Sequence, residues 1–82
     1  MLSTRQYLRN LEPDTLIKLF EMSNLTEMEY WLLYYAFIKK RMVENTCQKL
    51  HIQKTKYHTL LNEALIKVDY TINNLDKVRT LK

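Results

Sequence analysis

A chain of 82 residues with a net charge of +4 has room for one domain and one modest core. Its 46 % apolar and 27 % charged content argues for a folded globule, and the absence of glycine beside a single proline argues against hairpin-rich β architecture. The single cysteine excludes an internal disulfide, and the most apolar run, residues 30–38, has about half the length of a membrane span. The expectation is an all-α, soluble, cytoplasmic domain, a small bundle of four to five helices with an extended C-terminal helix.

Residues 1–24 read as a helical lead-in in two pieces. Ser3 or Thr4 can cap a first helix whose Tyr7, Leu8 and Leu11 share one face. Pro13 stops it, because the ring removes a donor and clashes with the preceding turn, and the same ring suits the start of a second piece over 14–22. That piece carries Leu16, Ile17, Leu19 and Phe20. Thr26 followed by Glu29 has capping-box spacing and opens a helix predicted over 27–42. Few polar residues interrupt it between Met28 and Ile38, so it is expected to be central, with most of Tyr30, Trp31, Tyr34, Tyr35 and Phe37 in the core. Tyr30 and Tyr34, one turn apart, are the candidates for an exposed strip that a partner covers. Lys39, Lys40 and Arg41 close the helix, placed favourably against its C-terminal dipole and equally able to meet phosphates.

The next segment, VENTCQKLHIQKTKYHTLL over 43–61, fits two short helices joined by a tight bend, a helix-turn-helix. Counted from Val43, the fifth position must be small because the two helices nearly touch there, and it is Cys47. The eighth, tenth, fifteenth and eighteenth must be apolar to fill the corner, and they are Leu50, Ile52, Tyr57 and Leu60. The ninth needs positive φ and is most often glycine; here it is His51, one of the better-tolerated alternatives. Between the inward positions lies a row of cations and hydrogen-bonding groups: Gln53, Lys54, Thr55, Lys56, His58, Thr59 and Asn62. Major-groove reading requires this composition, since Gln and Asn pair bidentately with adenine and Lys meets phosphates or guanine edges. Charge follows the same segment. Residues 39–58 hold six Lys/Arg and one Glu, whereas 1–38 hold three against five acids and 59–82 four against three. A solvated basic face without a partner would show the same count.

Beyond the bend an apolar stripe continues through Leu61, Leu65, Val68, Ile72, Leu75 and Val78, at spacings of four and three. One helix over 54–80 would be roughly 40 Å long, with Thr71, Asn73 and Asn74 marking a place where it could break. Its distal half is expected to pack on residues 1–22 or to form a homodimer through Leu65, Val68, Ile72 and Leu75.

Over residues 25–68 the chain resembles region four, the promoter-reading C-terminal region of bacterial sigma factors, and related phage transcription regulators. The family opens Leu-Ser/Thr-x-x-Glu, matched by Leu25, Thr26 and Glu29. It continues Glu-x-Ile-Ala-x-x-Leu and then Ile-Ser, matched loosely by Glu44, Thr46, Cys47, Leu50, Ile52 and Gln53. It closes Leu-x-x-Ala-Leu-x-Lys-Leu, matched by Leu61, Ala64, Leu65, Lys67 and Val68. The resemblance implies a lead-in over 1–24, a sigma-like core over 25–69 and a helical extension over 70–82. It also implies that the helix starting near Lys54 enters the major groove of double-stranded DNA. Lys54 and Lys56 would then meet phosphates or guanine edges, and Gln53, Thr55, His58, Thr59 and Asn62 would read bases. The chain is too short for the other sigma regions, so a stand-alone transcription regulator is expected, with RNA polymerase or another host protein as a further partner.

The competing reading is a phage or mobile-element accessory protein that binds a host protein or itself through a helical face. RNA binding comes third and would require exposed aromatic platforms. Cys47 and His51 lie one turn apart with His58 nearby, but a lone helical pair closes no zinc site, and no metal or cofactor is expected. No nucleophile triad, Gly-rich phosphate loop or carboxylate pair is present, so the chain is not expected to be an enzyme.

Overall fold

The computed structural model describes the backbone of residues 4–80 and the side chains of residues 4–74. Five α-helices carry the fold: α1 (Thr4–Arg9), α2 (Pro13–Met22), α3 (Glu27–Leu33), α4 (Val43–Leu50) and α5 (Lys54–Thr80). There is no strand among the described residues, and α3 runs on into a π-helical turn, Tyr34–Ile38. The 27 residues of α5 form the axis of the molecule, lying along a body of 45 × 23 × 20 Å, and all four other helices pack on it.

The core follows from helical spacing. Leu8 of α1, Leu16, Leu19 and Phe20 of α2, and Leu32 and Leu33 of α3 meet Tyr57, Leu60, Leu61, Ala64 and Val68 of α5. Phe37 from the π turn and Cys47 from α4 complete it. Pro13 stands at the first position of α2, where its missing N–H removes no helical bond. The Thr26–Glu29 capping box forms in both directions: the Glu29 amide donates to Thr26 Oγ1 at 3.2 Å and the Thr26 amide to Glu29 Oε1 at 2.9 Å. Lys67 of α5 donates to the same carboxylate oxygen at 2.7 Å, fastening the start of α3 to the middle of the long helix.

Several expectations change. The helix predicted over 27–42 ends at Ile38, because the register widens: the Lys39 amide reaches back to Tyr34 O and the Arg41 amide to Tyr35 O, while Lys40 turns left-handed at φ 53°. Met42 is thereby freed to open α4. The aromatic run is also less buried than its composition suggests. Of its five rings only Phe37 is buried, Tyr30, Tyr34 and Tyr35 are half-buried, and Trp31 is 40 % exposed, since so small a body covers one side of α3. Tyr7, expected on the inner face of α1, is likewise exposed.

The break expected near Thr71 does not occur. The Thr71 hydroxyl donates to Lys67 O at 3.1 Å and Ile72 packs against the core, so the helix passes through. Of the two fates expected for the distal half of α5, packing on residues 1–22 is what its described part shows. Both α1 and α2 lie on α5, Val68 is fully buried and Leu65 and Ile72 pack against the core, so these three serve the chain's own interior. Leu75 and Val78 lie outside the residues whose side chains are described. Among the described residues, the large apolar side chains that α5 leaves outside are Ile66 and Tyr70. Thr4 does not act as a cap: it stands inside α1, and its hydroxyl docks the helix onto α5 by donating to Asp69 Oδ1 at 3.0 Å. Ser3 lies outside the described residues.

Candidate nucleic-acid interface

α4 ends at Leu50, and His51 takes the left-handed conformation, φ 56° and ψ 46°. The amides of His51 and Ile52 both reach Cys47 O, the latter at 3.0 Å, which closes the α4 end in the manner of a left-handed cap. After residues 51–53 the Tyr57 amide returns to Gln53 O and α5 begins. Cys47, Tyr57 and Leu60 are buried in the corner, and Leu50 and Ile52 pack against it. Thr46, at the fourth position of the bend, is also fully buried.

Gln53, Lys54, Thr55, Lys56, His58, Thr59 and Asn62 are all exposed. At 100° per residue, Thr55, Thr59 and Asn62 form a central row opposite the buried stripe, with Lys54 and His58 on one flank and Lys56 on the other. Lys54 and His58 share a shallow cleft of about 240 Å³ with Met42, Val43 and Glu44 of the α4 start. Within it Lys54 Nζ lies 3.3 Å from Glu44 Oε1, a solvent-exposed pair that a competing anion opens at little cost. Thr59 donates to Thr55 O at 3.1 Å and keeps its acceptor lone pairs outward. His58 meets Tyr57 edge-on, ring centres 5.3 Å apart.

The electrostatics of this end are unusual for a helix. Lys54 and Lys56 occupy the first turn of α5, which has no acidic residue of its own, against the positive end of the helix dipole. The cost is about 0.3–1 kcal/mol each, which the exposed Glu44 of α4 offsets only in part at Lys54. Met42 gives α4 no side-chain cap, so the first-turn amides of that helix are also open to an anion. Lys40 and Arg41 stand exposed on the segment entering α4. Lys39 is directed elsewhere, its ammonium 5.9 Å from the centre of the Tyr34 ring.

One cation of this face has no signal in the sequence. Arg5 of α1 joins Thr4, Asn62, Leu65, Ile66 and Asp69 around a groove of about 360 Å³, beside the proposed reading row. Burial pushes the Tyr57 phenol above its ordinary range, with Cys47 adding to the effect and the Arg5 guanidinium pulling it back. Nothing in residue spacing links positions 5 and 62; only the docking of α1 onto α5 does.

No cluster of three or more His, Cys, Asp or Glu side chains able to hold a metal occurs among the described residues. Cys47 is buried while His51 and His58 are exposed. No helix of the described residues is long and apolar enough to cross a membrane. No protein-family model, characterised protein or solved structure matches the chain.

Proposed function

We propose that the chain is a sequence-specific DNA-binding transcription regulator of the region-four type, with the first half of α5 as its recognition helix. The observation that carries this reading is the pair of lysines at the N-terminus of α5, unopposed by any acid in that turn. A helix start of this kind is unfavourable to the folded chain alone and favourable beside a phosphate backbone. The polar row of Thr55, Thr59 and Asn62 lies between those cations, where base edges would be met. Lys40, Arg41, Arg5 and the open amides of α4 supply the further phosphate contacts that position such a helix.

Fluorescence anisotropy on labelled duplex across a salt series tests it. Wild-type affinity falls steeply with salt, and Lys54→Ala/Lys56→Ala lowers the slope of log K against log salt by about 2. Lys56→Glu abolishes measurable duplex binding while raising thermal stability by roughly 0.5 kcal/mol, because an acid now stands at the positive end of the dipole. Binding that ignores salt, or that survives Lys56→Glu, overturns the proposal. Selection of bound duplexes from a random pool then separates sequence-specific from general binding.

A further inference from the structure

The outward face of α3 is not used by the reading of α5. Glu29, Leu32 and Leu33 turn inward, and the opposite face presents Glu27, Met28, Trp31 and Tyr35, ending at Lys39. Met28 is 38 % and Trp31 40 % exposed. The rings are held against one another: Trp31 lies 5.4 Å from Tyr34 and 6.3 Å from Tyr35, and Tyr34 lies 5.7 Å from Tyr35. The wide register of the π turn brings Lys39 over Tyr34. Glu27 and the cations Lys39, Lys40 and Arg41 are exposed and form no salt bridge among the described residues.

The face therefore carries an acid at one end, rigid aromatics in the middle and cations at the other end. Run antiparallel, such a pattern is complementary to itself. A nucleic-acid strand laid along it would bring phosphates to Glu27, and the rings already meet one another largely edge to face. We propose that this face pairs with the same face of a second copy about a two-fold axis near residue 33. Glu27 then faces Lys39 of the partner subunit and Trp31 packs on the partner subunit's Tyr35. Both contacts occur twice, as an isologous interface requires. Pre-packed rings lose little freedom on association, and Trp and Tyr are the residues that dominate such contacts. The contact is small, so association is expected at concentrations on the order of micromolar. This inference stands independently of DNA binding.

Sedimentation equilibrium, with emission from the single tryptophan recorded over the same concentration series, tests it. The mass rises from 10.0 kDa to twice that value as Trp31 emission shifts to the blue. Trp31→Ala raises the dimer Kd at least ~30-fold. Glu27→Lys and Lys39→Glu, both outside the core, each weaken self-association when alone, and an equimolar mixture of the two variants restores it, because opposite charges then meet at both ends. Circular dichroism confirms that each variant is folded. A wild-type chain that stays monomeric to millimolar concentration, a mixture that does not recover, or a dimer indifferent to Trp31→Ala overturns the proposal. So does quenching of Trp31 by a single-stranded oligonucleotide without any self-association.

Discussion

Three helix ends among the described residues turn through the left-handed region, at Asn24, Lys40 and His51, with φ of 54°, 53° and 56°, in a sequence that contains no glycine. A Cβ in that region crowds the following carbonyl, and Asn and His tolerate it better than Lys. His51 is exposed, so replacing it removes the crowding without opening the core. His51→Gly is expected to stabilise the fold by about 0.5–1 kcal/mol after allowing for the greater freedom of glycine in the unfolded chain. That is a rise of several degrees in Tm on the usual scale of about 4–8 °C per kcal/mol for a domain of this size. Thermal melts followed by circular dichroism decide it, and an unchanged or lower Tm would show that the bend carries no strain. The need at position 51 was legible in the sequence, because the spacing of Cys47, Leu50, Ile52, Tyr57 and Leu60 fixes which residue must turn. The end of α2 at Met22 was legible as well, and Ser23 closes it locally by donating to Leu19 O and Phe20 O. The left-handed turns of Asn24 and Lys40 were not, because no residue spacing marks either position as the one that must turn.

Between elements, the joint that matters most is the one between α3 and α5 at Glu29. Its carboxylate is almost completely buried, and burial by itself opposes ionisation. Hydrogen bonds from Lys67 and from Thr26 outweigh that effect and hold its pKa below the ordinary 4.5. A depressed carboxylate contributes stability that is complete above its unfolded-state value and is lost as pH falls through the folded one. Glu29→Gln is therefore expected to cost about 1–2 kcal/mol at pH 7, less than a fully dry pair because Lys67 remains 39 % exposed. The difference from wild type narrows as pH drops below roughly 4.5. Urea midpoints at pH 7 and at pH 3 measure both quantities, and a gap that stays constant would remove the ion pair from the account. The capping box itself was readable from Thr26 and Glu29. Lys67 was not, since its arrival depends on α5 running unbroken past the start of α3. The widened turn at Tyr34–Ile38 escaped for the same kind of reason: nothing local distinguishes that run from ordinary helix, and the change of register appears only where Lys40 reverses the chain.

At the scale of the whole molecule, α3 lies between two surfaces that look in different directions. Its inner side packs on α5, whose row of Thr55, Thr59 and Asn62 faces away from the core, and its outer side carries the aromatic face. The proposed dimer, made through the outer sides of α3, leaves the Thr55, Thr59 and Asn62 rows of both copies outside the contact. Two half-sites on one straight duplex require both recognition helices on the same side, one helical repeat apart. If the proposed dimer and the proposed duplex binding both hold, two copies joined through α3 would instead bring together two separate duplex segments. Mixing donor-labelled and acceptor-labelled duplexes with the protein at near-physiological salt should give energy transfer between them, rising and then falling as protein passes equivalence. Trp31→Ala should remove the transfer while each labelled duplex still binds, and Lys56→Glu should remove both. Cooperative binding to a palindromic duplex with no transfer between separate duplexes would show that copies meet through another face. Ile66 and Tyr70, exposed further along the same side of α5 as the reading row, would then be the surface to mutate.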